Sequence, residues 1–209
     1  MRIYILSRNA RGHTATRLKQ TARDRGHEVR VLDTLRFSIF IEKQKPALLY
    51  DGKPLRKCDA VIPRIGASVT FFGTAVVRHY EQMGVFTLNT SQSITLSRDK
   101  LRAAQIFSRH DLGMPATAFV RDRGSVLPVI EMAGGAPVVV KLLEGAQGVG
   151  VILAETAEIA QAIVETLQAG QQNVLIQKFV SESKGRDIRC IVVGGRVVAA
   201  MRRVAAGGG

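Results

Sequence analysis

Lys141 ends a valine run, and a short glycine-rich turn follows it in VVVKLLEGAQGVGVIL, residues 138–153. A lysine beside glycines is phosphate-binding chemistry, because backbone N–H groups can approach the anion while the ammonium neutralises it. The arrangement is not a P-loop, which needs G-x-x-x-x-G-K-[ST] with the lysine after the glycines. Here Gly145, Gly148 and Gly150 are followed by Val and Ile. A dinucleotide fingerprint fails as well, since the spacing is G-x-x-G-x-G and no helix follows directly. What remains is a hairpin lid: two strands, 138–143 and 149–154, joined by a turn that could close over a nucleotide. Strand alternation puts Val139, Lys141 and Leu143 on one face. An ammonium among valines is costly to bury unless it meets an anion, which a phosphate provides. An ordinary hairpin with a snorkelling lysine fits the same residues.

Other reactive side chains are sparse. His13, His27, His79 and His110 share no metal-ligand spacing, and Cys58 and Cys190 make neither a zinc nor a disulfide pattern. A reducing cytoplasm fits this usage. Arg64, in VIPRIG, ends an apolar run just before Gly66. Its guanidinium fork suits a carboxylate, and a helix cap or interdomain salt bridge would also use it. Thirty Lys and Arg against 17 Asp and Glu give a net charge of +13, which favours anionic partners or simply a solvated basic surface. With 5% aromatics and no Trp, a base-stacking platform for nucleic acid is not indicated. No apolar run reaches the roughly 20 residues that span a bilayer, and MRIYILSRNARGH reads as a first strand instead of a secretory signal.

The elements that must position these residues follow from hydrophobic periodicity. RIYIL (2–6), TRLKQTARDRG (16–26) and HEVRVLD (27–33) make a β-α-β start, which implies parallel strands. Asp51-Gly52 within ALLYDGKPL (47–55) predicts a hairpin, DAVIPRIG (59–66) a strand, and TFFGTAVVRHYEQMG (70–84) a helix. A small α/β domain therefore ends near residue 90. Beyond it, SRDKLRAAQIFSRHDLG (97–113) predicts one helix with Ser97 as its cap and a glycine stop. TAFV (117–120) predicts a strand, and SVLPVIEMAGG (125–135) a short helix despite Pro128. TAEIAQAIVETLQAG (156–170) is a helix capped by Thr156. NVLIQKFV (173–180), DIRCIVV (187–193) and RVVAAMRRV (196–204) are three strands, the last two joined across Gly194-Gly195.

In this order and spacing, SRDK, GGAPVVVKLLEGAQGVGV, LIQKFV and GRDIRCIVVGGRVVAAMRR resemble the ATP-grasp ligases. The chain is most similar to the RimK family, which adds glutamate to the C-terminus of a ribosomal small-subunit protein. CDAVIPRIG and FFGTAVVR resemble that family's first domain, so the resemblance covers nearly the whole chain. It implies an α/β fold with an N-terminal Rossmann-like pre-ATP-grasp domain (1–90) and an ATP-grasp domain (91–209). The latter would carry a lid subdomain at 113–180 and an incomplete C-terminal subdomain. It also implies an ATP site in which Lys100 and Lys141 contact phosphates, and Glu144, Gly145, Gln147 and Gly148 cover them. Gln177, Lys178 and Phe179 would form the adenine hinge, where many relatives have an acidic residue in place of Lys178. Asp187 matches a nucleotide-contacting position. Lys100 could equally be a first-turn surface lysine.

Arg202 and Arg203 alternate in direction, so one of them reaches the phosphates, and Arg203 is the expected catalytic residue. Arg189 and Arg64 are expected at the acceptor or the incoming glutamate, with a purely structural role the alternative for Arg189. The implied reaction passes through an acyl phosphate, with Mg2+ or Mn2+ bridging the phosphates. The family's metal ligands lie on strands beyond the last one here, so no metal-binding residue is expected within the chain. The implied partners are ATP, glutamate and the acidic C-terminal tail of a ribosomal protein, with no membrane or direct nucleic-acid contact and homo-oligomerisation left open. The competing expectation is a shortened, catalytically impaired protein that binds only nucleotide or an acidic partner.

Overall fold

The structure, a computed structural model, describes residues 1–143, 150–183 and 185–204. The chain divides into two compact units, the first Met1–Ile106 and the second from Phe107 onwards. Among the described residues, no helix is long and apolar enough to cross a membrane.

The first unit grows from strand β1 (Arg2–Leu6), in which Ile3 to Leu6 are all buried. Near-continuous burial is what a parallel strand covered on both faces requires. Helix α1 (His13–Asp24) returns the chain to β2 (Glu28–Leu32), which pairs with β1 in parallel. The helix begins three residues before the expected Thr16 and stops where Gly26 takes φ +76°, a conformation that glycine adopts without a Cβ penalty. A three-stranded side sheet follows, made of β3 (Phe37–Phe40), β4 (Ala47–Tyr50) and β5 (Lys53–Pro54). Its expected turn is present: Asp51 and Gly52 both have positive φ, 51° and 70°. Strand β6 (Ala60–Pro63), helix α2 (Thr70–Gln82) and β7 (Phe86–Thr87) complete a parallel sheet of order β2-β1-β6-β7. Tyr4, Leu6, Val61, Val76, Val77 and Tyr80 share its larger core.

The single helix expected at 97–113 is instead two. Helix α3 (Ser91–Arg98) is capped by Thr90, whose hydroxyl accepts from the Ser93 N–H. Asp99 leaves the helical region at φ −82°, ψ 101°, and its carboxylate accepts from the Arg102 N–H at 2.9 Å. Asp99 thereby caps helix α4 (Lys100–Arg109), the role that the sequence had given to Ser97.

The second unit is built on an antiparallel sheet of order β10-β9-β11-β8. In chain order it holds β8 (Thr117–Phe119), α5 (Val126–Met132), β9 (Val138–Leu142) and β10 (Val151–Ala154). Helix α6 (Ala157–Ala169) and strand β11 (Val174–Lys178) follow. Pro128 is harmless as the third residue of α5, where a helical N–H has no partner to lose. Thr156 caps α6 as expected, accepting from the Ile159 N–H. One sheet face packs on the helices: Val138, Val140, Val174 and Ile176 meet Val126, Ile130 and Val164, all essentially inaccessible to water. Each such side chain contributes about 1.5–3 kcal/mol by leaving water. The ribbon of β12 (Arg186–Val193) and β13 (Arg196–Val204) turns on Gly194 and Gly195, at φ 56° and 75°, and is exposed along its whole length.

Candidate functional site

Burial of one face of β9 fixes the other. Because Val138 and Val140 go into the core, Val139 and Lys141 point the opposite way. Of the valines before Lys141, Val138 and Val140 thus turn away from its ammonium, while Val139 shares its face. On β11, Gln177 lies opposite Val139, and on β10 Val151 lies opposite Lys141. These side chains form the floor of a cleft of about 660 Å3, whose rim adds Lys178, Phe179, Val180, Arg186, Asp187 and Arg203.

Six sequence-predicted residues thus meet in one cleft of the second unit: Lys141, Gln177, Lys178, Phe179, Asp187 and Arg203. A hydrogen-bond chain runs across its floor. The Lys141 ammonium donates to the Gln177 amide oxygen, and the Gln177 amide nitrogen donates to the Thr117 hydroxyl at 2.8 Å. Thr117 in turn donates to the Pro115 carbonyl at 2.9 Å. Each donor is matched to an acceptor, so the half-buried Gln177 amide is held in one orientation with its oxygen towards the lysine.

At the rim, Arg203 and Asp187 are register partners on β13 and β12 and form a forked ion pair. The Arg203 hydrogen bond, and secondarily its charge and that of Arg189, holds the Asp187 carboxyl below its ordinary pKa. The same pairing raises Arg203. Among the described residues the cleft therefore presents the cationic side chains of Lys141, Arg186 and Arg203 against one carboxylate, Asp187, that is already paired. Val139, Val151, Phe179 and Val180 give the cleft an apolar side. Cationic groups set among apolar carbon in one cleft can hold a ligand with an anionic end and a flat apolar body. That donor set fits a nucleoside polyphosphate.

The backbone narrows what the hinge can read. The N–H groups of Lys178 and Phe179 donate to the carbonyls of Ala116 (2.9 Å) and Pro137 (3.3 Å). The Lys178 side chain folds over Gly134, where an added Cβ would lie 3.0 Å from the ammonium nitrogen. Carbonyl oxygens are therefore what this edge offers to an exocyclic amine.

Other expected residues lie elsewhere. Arg189 is on exposed β12 opposite Met201 and does not line the cleft, although its charge acts on Asp187. Lys100 opens α4 in the first unit, where burial lowers its pKa. Arg64 follows β6, also in the first unit. Glu144, Gly145, Gln147 and Gly148 lie outside the described residues. Sequence reasoning missed Thr117, Val151 and Arg186. Arg186 was within reach, sitting in the quoted GRDIR, whereas the Thr117–Gln177 pairing depends on a register between strands 60 residues apart.

Among the described residues, no group of three His, Cys, Asp or Glu could hold a metal ion. Asp187 is occupied by Arg203. The described side chains do not fit a protein-held magnesium or manganese.

Residues 1–94 match the family model described as the RimK PreATP-grasp domain, and 97–209 match the RimK-like ATP-grasp domain. A probable alpha-L-glutamate ligase of Rhodopirellula baltica is 58% identical over 99% of this chain, which covers 51% of that protein. A protein of the same name from Teredinibacter turnerae is 52% identical over the full chain, which covers 69% of it. The chain thus spans about half to two thirds of the length of these curated relatives. Among solved structures, a RimK domain ATP-grasp protein from Sphaerobacter thermophilus superposes with a TM-score of 0.73 at 21% identity, covering 96% of this chain and 72% of that one. The ATP-grasp ligase PsnB, complexed with a minimal precursor, gives 0.72 at 19%, covering 96% and 70%. At these identities the two structures establish the α/β ATP-grasp fold alone.

Proposed function

We propose that this chain, which belongs to the RimK family of ATP-grasp proteins, serves an ATP-dependent carboxylate–amine ligase that adds glutamate to a protein C-terminus. The observation that carries the reading is the cleft of the second unit, which Lys141, Gln177, Asp187 and Arg203 line together with Val139, Val151 and Phe179. The names of the relatives support glutamate as the amine. The net charge of +13 supports an acidic acceptor, and the acidic C-terminal tail of a ribosomal protein is the one we propose.

In this reading the acceptor carboxylate oxygen attacks the γ-phosphorus of ATP, the bond to the β–γ bridging oxygen breaks, and ADP leaves. The glutamate amine then attacks the acyl carbon, an amide forms, and inorganic phosphate and a proton depart. Lys141, held by Gln177, binds phosphate oxygens and offsets their charge. Arg203 serves as the catalytic cation towards the transferring group, with Asp187 orienting its guanidinium. Phe179 and Val139 flank the base, and the carbonyl edge at Lys178 and Phe179 accepts from its amine. On the family resemblance, Arg64 and Arg189 are assigned carboxylates of the acceptor or of glutamate.

The test is incubation with ATP, glutamate and a glutamate-ended peptide. Glutamate-dependent ADP release with stepwise peptide mass increments is the expected result. Nucleotide binding with no amide product under any acceptor would replace ligation with a binding role.

A further inference from the structure

Three helices of the first unit contribute to a cavity of about 270 Å3: α2 gives Arg78, α3 gives Ser91, Gln92, Thr95 and Leu96, and α4 gives Arg102. None of these residues lines the cleft of the second unit.

The packing of the helices fixes where the polar groups stand. In α2, Val76, Val77 and Tyr80 go into the core, and Arg78 is left exposed. Glu81, one turn later, ties α2 to the start of α3. Its carboxylate accepts from the Ser91 N–H at 2.7 Å, the Ser91 hydroxyl at 2.8 Å and the Thr87 hydroxyl at 3.3 Å. One turn along α3, the Thr95 hydroxyl donates to the Ser91 carbonyl at 2.9 Å. Arg102 is held at its backbone by the Asp99 carboxylate.

The side chains that remain select a ligand. Among the described residues, the guanidiniums of Arg78 and Arg102 and the amide of Gln92 have no hydrogen bond or ion pair, and no carboxylate lines the cavity. Two guanidiniums without a counter-charge suit a dianion. The ammonium of an amino acid would find no carboxylate here. The volume falls below that of sites enclosing drug-sized ligands and suits a single oxyanion. Donors alone do not complete the set. Thr95 has given its proton to Ser91, so towards a ligand its oxygen only accepts, and the Gln92 amide oxygen accepts as well. Sulfate has no proton to offer them. Monohydrogen phosphate has one, on its fourth oxygen, beside three oxygens that accept.

We propose that this cavity binds inorganic phosphate as the monohydrogen dianion. Arg78 and Arg102 clamp its charged oxygens, the Gln92 amide nitrogen donates to it, and the Thr95 oxygen accepts its O–H. The site is independent of the nucleotide cleft and of the ligase reading.

The test is calorimetric titration of inorganic phosphate into the full chain, above neutral pH and without nucleotide. Arg78→Met and Arg102→Met are each expected to weaken binding by about ten- to a hundredfold, the scale of a lost charge-assisted hydrogen bond. Both residues are exposed, so the melting temperature should not change. Gln92→Glu is a further variant: it keeps the shape and suits the first turn of α3, while the cavity gains a repelling charge. It should weaken phosphate to a similar degree. Sulfate and methyl phosphate keep the charge but lack the O–H, and should bind about two- to tenfold more weakly than phosphate. Phosphate binding that survives in Lys141→Met supports the proposal, whether or not the cleft of the second unit binds ATP. No binding by the wild type, equal binding in the three cavity variants, loss of binding in Lys141→Met, or equal binding of sulfate, methyl phosphate or glutamate overturns it.

Discussion

Lys141 and Gln177 are hydrogen-bonded diagonally across two strands. In the β9–β11 register Lys141 faces Leu175 and Gln177 faces Val139, yet the ammonium reaches the amide oxygen. Diagonal neighbours of this kind are within reach only of long side chains. The pair joins the lysine to a backbone-anchored chain through Thr117, so its position is set by the sheet as well as by its own rotamers.

Gln177→Leu therefore leaves a half-buried ammonium without this acceptor while keeping the side-chain size. A loss of about 1–3 kcal/mol in urea unfolding is expected. Thr117→Val should cost less, because the lysine keeps its contact with Gln177. An equal loss in both would contradict the order of the chain.

The Asp187–Arg203 pair has a defined pH signature. Asp187 titrates below its ordinary 3.8, so the stabilisation is complete above that value and drains away as pH falls through the depressed one. Arg203 stays charged throughout. An NMR titration of the carboxyl should show Asp187 moving up towards 3.8 in Arg203→Gln. An unchanged midpoint would mean that another group sets the depression.

Gly150 precedes β10 at φ +82°, and an added Cβ would lie 2.5 Å from the Leu142 side chain. Gly150→Ala should destabilise by about 1–3 kcal/mol, combining backbone strain with a displaced leucine. Gly66, with a negative φ of −75° and open space around its Cα, is the control that should tolerate alanine.

Asp99→Ala removes the cap that separates α4 from α3, at an expected cost of about 0.5–2 kcal/mol in thermal or urea unfolding. Ser97→Ala should cost little, since Ser97 caps no helix.

What the sequence made legible follows chemical distance along the chain. Asp51-Gly52 and Gly194-Gly195 announce their turns because positive φ is a local demand, and Thr156 announces α6 because a cap acts three residues away. The break at Asp99 was hidden because the amphipathic pattern continues through it, and only the carboxylate bond to Arg102 reveals two helices. Strand β3 carried no turn signal of its own and was missed. Lys141, Gln177 and Arg203 could be picked out as types, but Thr117 and Val151 enter the cleft through strand register, which no short motif encodes. The cavity of Arg78 and Arg102 was hidden, because Gln92 and Thr95 belong to a helix expected to start six residues later.

The most direct test is calorimetric titration of a non-hydrolysable ATP analogue into the wild type and Lys141→Met. The cleft of the second unit predicts binding by the wild type and a loss of about ten- to a hundredfold in the variant, with the fold retained. Equal affinity in both proteins would contradict the placement of the phosphates at Lys141, and absence of binding to the wild type would contradict the nucleotide site itself.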